Sequence, residues 1–373
     1  MNAHIIFCGG GTGGHLFPGL AVAERLGALG DCIRITFAGA GGAMERRIVE
    51  QHGHQYVAFR CRAWPRRPWK MPHFALDYVA GVAAARRWLA KHPADVVVGL
   101  GGWSSVPMAR AAHATRTPLV LLEQNALPGR VTRWLAPHAE LVCAAMAEAQ
   151  PWLNIRQDRF RHTGNPVRSM FSQRAAAKLG SRPPRLVVLG GSNGSADLNR
   201  TVPEAIARLG ARFEQWGVFH QTGAAELATT RDRYAQRGRW ATLRAFFPNV
   251  AELLADADVV ISRAGGTTLA ELAACGSTAI VVPYPHAADD HQLRNAVVYA
   301  RHGACRAVDF RRATDPAGEL ADQLLRLAVD PRSRQKLREG MRTMAMPHAA
   351  AEVARLVRRI AERRIVAPSA RAA

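Results

Sequence analysis

Short apolar runs such as Val96-Val97-Val98 alternate along this chain with stretches whose apolar residues recur every three or four positions. The runs read as buried strands and the periodic stretches as amphipathic helices, so the pattern predicts βα units and parallel sheets. In the first half the expected strands are residues 4–8, 33–38, 56–59, 96–99, 119–123 and 141–143, with helices at 18–29, 43–52, 75–91 and 106–114. Pro18 suits a first helical turn, where its missing N–H is no loss. A polar, proline-bearing stretch from Asn165-Pro166 to Arg182-Pro183-Pro184 precedes a second series. Its strands are expected at 185–189, 217–221, 242–245, 259–262, 278–282 and 305–308, each followed by a helix-like segment, including 198–209, 250–255, 268–274 and 292–301. The expectation is an α/β protein of two Rossmann-like, doubly wound domains facing a central cleft. The expected divisions are residues 1–165, residues 166–346, a C-terminal helix within 347–366 packing back on the first domain, and a disordered tail at 367–373.

A length of 373 residues fits two domains, and 48% hydrophobic content is enough for ordinary cores. No apolar run approaches the roughly 20 residues needed to cross a bilayer. Met1-Asn2-Ala3-His4 carries no cationic leader, so a cytoplasmic chain is expected. The six cysteines, Cys8, Cys32, Cys61, Cys143, Cys275 and Cys305, form no C-x-x-C pair and read as small core residues rather than metal ligands. Fifty basic against 29 acidic residues give a net charge of +21. Nucleic acid, an anionic membrane surface and a generally arginine-rich surface compete to explain it. A nucleic-acid binder needs a clustered footprint or a module signature, and neither is present.

Chemistry concentrates in the loops. After the first strand comes Gly9-Gly10-Gly11-Thr12-Gly13-Gly14-His15, and after 185–189 comes Gly190-Gly191-Ser192-Asn193-Gly194. Glycines let backbone N–H groups approach an anion, and a following helix N-terminus favours negative charge. Neither loop is a Walker loop, and a single glycine-rich turn is often only a packing device. A third loop, Ser262-Arg263-Ala264-Gly265-Gly266-Thr267-Thr268, enters a helix bearing Glu271. A carboxylate there suits the two hydroxyls of a ribose, although a helix-start acid also satisfies the dipole. Three such loops and a ribose-type acid together point to a nucleotide, held by the second half.

Six motifs then occur in order: Gly10-Gly11-Thr12-Gly13-Gly14-His15-Leu16-Phe17-Pro18-Gly19, Gly101-Gly102-Trp103-Ser104-Ser105-Val106-Pro107, Glu123-Gln124-Asn125, Gly164-Asn165-Pro166-Val167-Arg168, His220-Gln221-Thr222-Gly223 and Asp289-Asp290-His291-Gln292. Together they closely resemble the MurG family, bacterial transferases that add N-acetylglucosamine to the lipid-linked muramyl-pentapeptide precursor of peptidoglycan. The resemblance implies a GT-B fold and inverting transfer from UDP-N-acetylglucosamine to the C4 hydroxyl of the muramyl sugar of lipid I, giving lipid II, with neither metal nor cofactor. It also implies a peripheral place on the cytoplasmic face of the cell membrane, beside other cell-wall synthesis proteins as candidate partners. Thr12, Gly13 and Gly14 would line the cleft floor, and Asn125 would touch the donor sugar. Arg168 and Ser192 match positions near the diphosphate, and Phe247 one against uracil. Ala264, Gly265, Gly266, Thr267, Thr268, Leu269 and Glu271 form the nucleoside-binding helix start, and Gln292 would reach the sugar hydroxyls.

The chain departs from the family pattern at Leu122, Trp103 and Asn193, where histidine, tyrosine and glutamine are usual, and in the loop Cys61-Arg62-Ala63-Trp64-Pro65-Arg66-Arg67. His15 is the expected general base, with a structural role holding its loop as the alternative, and Glu123 is the rival base or sugar ligand. Trp64-Pro65-Arg66-Arg67-Pro68-Trp69-Lys70-Met71 interleaves aromatics with cations, and Leu76, Val79 and Val82 continue an apolar face that is either lipid-facing or core. Two other readings stand beside this one. The first is another GT-B enzyme acting on UDP-N-acetylglucosamine, such as a 2-epimerase or glycolipid transferase. The second is a non-enzymatic basic membrane-binding protein.

Overall fold

The computed structural model describes residues 3–11, 13–29, 32–65, 67–172, 182–191 and 193–369. The chain divides into two compact units, Met1–Arg168 with Pro347–Ala373, and Ser169–Met346.

In the first unit, β1 (Ala3–Cys8), α1 (Gly13–Gly27), β2 (Ile33–Gly39), α2 (Ala43–Gln51) and β3 (Gln55–Ala58) lead to the long α3 (Met71–Lys91). There follow β4 (Val96–Gly99), α4 (Val106–Ala114), β5 (Leu119–Glu123), α5 (Arg130–Leu135), β6 (Leu141–Ala144) and β7 (Phe160–His162). All seven strands are parallel, in the order β3-β2-β1-β4-β5-β6-β7. Alternate side chains serve opposite faces, as a strand period of two requires. Ile6, Cys8, Val97 and Leu121 join α3 and α4 in one core layer, while Ile5, Phe7, Val98 and Leu122 join α1 in the other. Both faces are covered, which is why these strands read as unbroken apolar runs. Leu122, a departure from the family pattern, is simply a core residue at 2% exposure.

The second unit opens with a short α6 (Ser169–Ser172) and runs through β8 (Arg185–Leu189), α7 (Ala196–Arg208), β9 (Gly217–Gln221), α8 (Leu227–Ala235) and β10 (Thr242–Arg244). It continues with α9 (Val250–Ala255), β11 (Val259–Ser262), α10 (Gly266–Cys275), β12 (Ala279–Val281), α11 (His291–Arg301), β13 (Cys305–Ala307), α12 (Pro316–Val329) and α13 (Pro331–Thr343). Its six strands are also parallel, ordered β10-β9-β8-β11-β12-β13. The closing helix α14 (Ala349–Ser369) belongs to the first unit, where Val353, Val357 and Ile360 enter the α1 core layer.

Three expectations need correction. Helix α1 starts at Gly13, so Pro18 lies inside it and the glycine loop is shorter than the pattern suggests. Helix α14 continues to Ser369, past the expected start of a tail at 367. Strand β7 and helices α5, α6 and α13 lie outside the expected pattern, whereas α8 and α12 are the helix-like segments expected, without bounds, after 217–221 and 305–308. In α12 and α13 the overlooked signal is an aspartate followed by proline: Asp315 accepts from Gly318 N–H at 3.1 Å and Asp330 from Arg332 N–H at 2.9 Å, each capping a helix whose first residue is proline.

His220 on β9 is fully buried, with Nδ1 3.1 Å from the Tyr234 hydroxyl, and burial pushes its pKa down to about 3. The unfolded chain therefore binds a proton below pH 6.5 that the folded chain refuses, and stability falls as pH drops through that range. Between pH 7.5 and 5.0 this one group should remove about 2 kcal/mol. Denaturant unfolding at both pH values should show the loss in the native chain and a shallower pH slope in His220→Gln.

Candidate active site

The strand order of each sheet reverses once, at β1/β4 in the first unit and at β8/β11 in the second. Loops leaving the C-terminal ends of strands at such a reversal diverge and leave a crevice, the usual ligand site of an open parallel sheet. The glycine-rich loops lie at these two places.

In the first unit, Gly9, Gly10 and Gly11 take φ of +136°, +148° and +85°, conformations L side chains avoid. A Cβ on Gly9 would sit 2.8 Å from the Gly101 carbonyl oxygen, so the β1 and β4 loops meet backbone to backbone. His15, in the first turn of α1, stands half-buried against the β4 loop: a Cβ on Gly101 would lie 3.0 Å from its Cδ2 and 3.3 Å from its Nε2. Glu45, at 5% exposure in the first turn of α2, accepts a hydrogen bond from Gly11 N–H and, at 2.7 Å, from the Tyr56 hydroxyl. Sequence reasoning did not single out Glu45, which looks like any helix-start acid.

Glu123 ends β5 fully buried. Its Oε1 accepts from the backbone N–H and the side-chain Nδ2 of Asn125, both at 3.0 Å, and its Oε2 from Gly129 N–H at 3.0 Å. Burial raises its pKa, while hydrogen bonds from Thr132, Asn125 and Gly129 oppose that rise. Both oxygens are thus engaged in orienting Asn125 and the 125–129 turn. Arg168 lies 4.1 Å over the Phe17 ring, two residues beyond His15.

An aromatic cluster flanks the β4 loop. Trp103 stacks with Trp64 at 5.9 Å, meets Phe74 edge-on at 5.4 Å and lies 6.3 Å from Trp134. Two of the departures from the family pattern, Trp103 and the 61–67 loop, therefore pack on each other. Trp64, Trp69, Leu76 and Val79 are 52%, 68%, 65% and 63% exposed, so Leu76 and Val79 are not core. Arg67 lies over Trp69 at 5.5 Å, and Lys70, Arg86, Arg87 and Lys91 are exposed nearby in sequence.

In the second unit the β8 and β9 loops interlock. Gly194, at φ +75°, leaves no room for a Cβ beside the Thr222 carbonyl, and a Cβ on Gly190 would lie 2.8 Å from Ser195 N. Gln221 ties the arrangement together: its Nε2 donates to the Gly191 carbonyl at 2.8 Å and its Oε1 accepts from Phe247 N–H at 3.1 Å. Phe247 is buried beneath Arg244, 5.8 Å above its ring. After β11, Arg263 is buried, pairs with Asp197 of α7 and donates to the Val282 and Pro283 carbonyls at 3.2 Å each. Burial works to raise the Asp197 pKa, but hydrogen bonds from Arg263 and Ser195 hold it low. Asn295, fully buried, donates to the Ala264 carbonyl at 3.0 Å and fixes the entry to α10, where Gly265 precedes Gly266, Thr267, Thr268 and Leu269. Glu271 lies half-buried one turn further on, and Gln292 accepts from Tyr284 N–H at 2.9 Å.

The structure thus places Gly13, Gly14 and His15 in the first turn of α1, Arg168 over Phe17 of the same helix and Asn125 on the β5 loop. Ala264 through Glu271 lie at one helix start in the second unit, with Phe247 on the β10 loop and Gln292 at the start of α11. Thr12, Ser192 and Arg66 lie outside the described residues. Among the described residues, no cluster of three or more His, Cys, Asp or Glu is arranged to hold a metal.

Two parallel sheets with glycine loops at each reversal define a two-domain α/β protein of the nucleotide-binding kind. Residues 5–143 match the glycosyltransferase family 28 N-terminal domain and residues 185–354 the glycosyltransferase family 28 C-terminal domain. The chain is 37% identical over 353 residues to the UDP-N-acetylglucosamine–N-acetylmuramyl-(pentapeptide) pyrophosphoryl-undecaprenol N-acetylglucosamine transferase of Pseudomonas savastanoi pv. phaseolicola, covering 94% of this chain and 96% of that one. It is 43% identical over 298 residues to the protein of the same name from Verminephrobacter eiseniae, covering 77% and 80%. Acinetobacter baumannii MurG superposes with a TM-score of 0.75 at 27% identity, over 96% of this chain and 99% of that one. The chain belongs to glycosyltransferase family 28 and has the GT-B fold.

Two glycines of one loop should respond differently to alanine. Gly191, at φ +87°, has open space around its missing side chain, whereas Gly194 faces the Thr222 carbonyl. Gly191→Ala should cost about 1–2 kcal/mol of unfolding free energy from backbone strain alone, and Gly194→Ala clearly more, as read by denaturant titration.

Proposed function

We propose that the protein is an inverting hexosyltransferase moving N-acetylglucosamine from UDP-N-acetylglucosamine to the C4 hydroxyl of the muramyl sugar of undecaprenyl-pyrophosphoryl-MurNAc-pentapeptide. The observation that carries the donor half is the reversal of the second sheet, where a glycine loop, the α10 N-terminus and Glu271 supply amides and a carboxylate of the kind a nucleoside diphosphate needs. The acceptor half rests on the activity in the relatives' names and on the first unit's surface. In this reading Glu271 accepts from the ribose hydroxyls, Phe247 flanks the base, and Ser192 contacts the diphosphate. Gln292 and Asn125 address the donor sugar, and Thr12, Gly13 and Gly14 line the acceptor side.

His15 takes the proton of the C4 hydroxyl as that oxygen attacks the anomeric carbon from the face opposite UDP. The bond from that carbon to the diphosphate oxygen breaks as the new one forms, which inverts the configuration. Arg168, the loop amides and the α10 N-terminus compensate charge growing on the departing UDP. Glu123 positions Asn125 instead of sharing the proton.

A lipid-linked acceptor calls for a membrane surface, and the place proposed for the enzyme is its cytoplasmic face. The exposed Trp64, Trp69, Leu76 and Val79, flanked by Arg67, Lys70, Arg86, Arg87 and Lys91, suit the interface of an anionic bilayer, each cation adding about 1 kcal/mol. Among the described residues no helix is long and apolar enough to cross a membrane, and the proposed attachment is peripheral.

Purified protein given UDP-N-acetylglucosamine and a lipid I analogue should release UDP and form the disaccharide lipid in equal amounts. Appearance of N-acetylmannosamine, or binding without UDP release, would contradict the reading. His15→Ala should lower kcat by about 10²–10⁴ with donor KM little changed; a kcat within a few fold of native rejects His15 as the base. Replacing Trp69, Leu76 and Val79 together by serine should reduce co-sedimentation with phosphatidylglycerol vesicles, and added salt should weaken native binding. Sedimentation indifferent to both would reject the membrane surface.

A further inference from the structure

Glu45 is a buried carboxylate that the proposed chemistry does not use. A buried carboxylate costs several kcal/mol unless it is well satisfied, so its presence calls for a reason. Its surroundings are built around it. A Cβ on Gly10 would lie 2.7 Å from Glu45 Oε1, one on Gly39 2.9 Å from Oε2, and one on Gly42 3.5 Å from Cδ. Gly10 and Gly39 thus make room for the carboxylate, while a side chain at Gly42 would only touch it. The Tyr56 hydroxyl, which donates to Glu45, itself accepts from Gly41 N–H at 3.0 Å, and Arg46 lies 5.4 Å over the tyrosine ring. The N-terminus of α2 adds favourable dipole.

The glycine loop after β1 reads from sequence as an anion cradle. The anion that accepts its Gly11 N–H is the protein's own Glu45. What that contact controls lies one step further along. The Gly10 carbonyl oxygen packs 3.4 Å from where a Gly102 Cβ would be, and the His15 ring stands against Gly101. A displacement of Gly10 and Gly11 therefore moves both the seat of His15 and the start of the helix that carries it.

We propose that Glu45, held by Tyr56, is a positioning residue for the transfer. It fills the first glycine loop as an internal anion and thereby sets His15 against the β4 loop. The proposal rests on the reading of His15 as the base, and the experiment separates the two. In the full-length protein with 13C-labelled histidine, the His15 ring signal, assigned by its loss in His15→Ala, is titrated in native, Glu45→Gln and Tyr56→Phe proteins. Steady-state kinetics accompany the titration. Glu45→Gln should displace the His15 signal and its titration midpoint, lower kcat at least tenfold and leave donor KM within twofold. Tyr56→Phe, which removes one hydroxyl and keeps the buried ring, should act in the same direction more weakly, and it carries the test if Glu45→Gln does not fold. In a His15→Ala background Glu45→Gln should change kcat less than twofold, because residues acting as a unit are not additive. An unmoved His15 signal, or the same kcat loss in both backgrounds, overturns the positioning role. Should His15→Ala itself retain kcat, the base assignment fails, while the ring titration still decides whether Glu45 places that ring.

Discussion

The architecture of both units depends on backbone approaching backbone at the C-terminal ends of parallel strands. At Gly9 the β1 and β4 loops come too close for any side chain, and at Gly194 the β8 and β9 loops do the same. Parallel order delivers all the strand ends to one edge, and the reversal of order opens the crevice there. Glycine permits the loops to occupy it without side chains of their own, so the polar groups that line it are amides and a few inserted side chains. Gln221 and Arg263 are recognisable as supporting residues only from that arrangement.

The two loop systems solve the same packing problem with different polar partners. In the second unit the ties are neutral or paired: Gln221 joins Gly191 to Phe247, and Arg263 joins α7 to the β12 end through Asp197 and two carbonyls. In the first unit a carboxylate from a neighbouring helix reaches the loop itself. That difference fits the proposed division of labour, with the nucleotide held by the second unit and the acceptor addressed by the first. It also shows why a glycine-rich turn alone is a weak functional signal, since a turn of this kind can be satisfied from within.

Much of the fold is legible in the sequence because doubly covered parallel strands are uninterrupted apolar runs. The expected strands at 96–99, 119–123, 185–189, 217–221 and 259–262 coincide with the observed ones. Strand β7 is not legible, because only Phe160 of its three residues is buried and the pattern has nothing to alternate. Pro18 misplaces the start of α1, since a proline inside a helix looks the same in sequence as one at its first turn. Glu45 and Glu123 mark the limit at the site. In sequence one looks ordinary and the other catalytic; the partners that hold them, Gly11 and Tyr56 for the first and Asn125 and Gly129 for the second, appear only in the folded chain. The exposed face of α3 was ambiguous for a related reason: apolar residues at helical spacing do not say whether lipid, protein or water lies beyond them.

The division of labour between the loops is the central claim, and hydrogen–deuterium exchange with and without UDP tests it most directly. Saturating UDP should slow exchange at 190–194, 222–223 and 263–271 and leave 9–15 and 101–105 unchanged. Protection centred on 9–15 and 101–105, with the second-unit loops unaffected, would contradict the account.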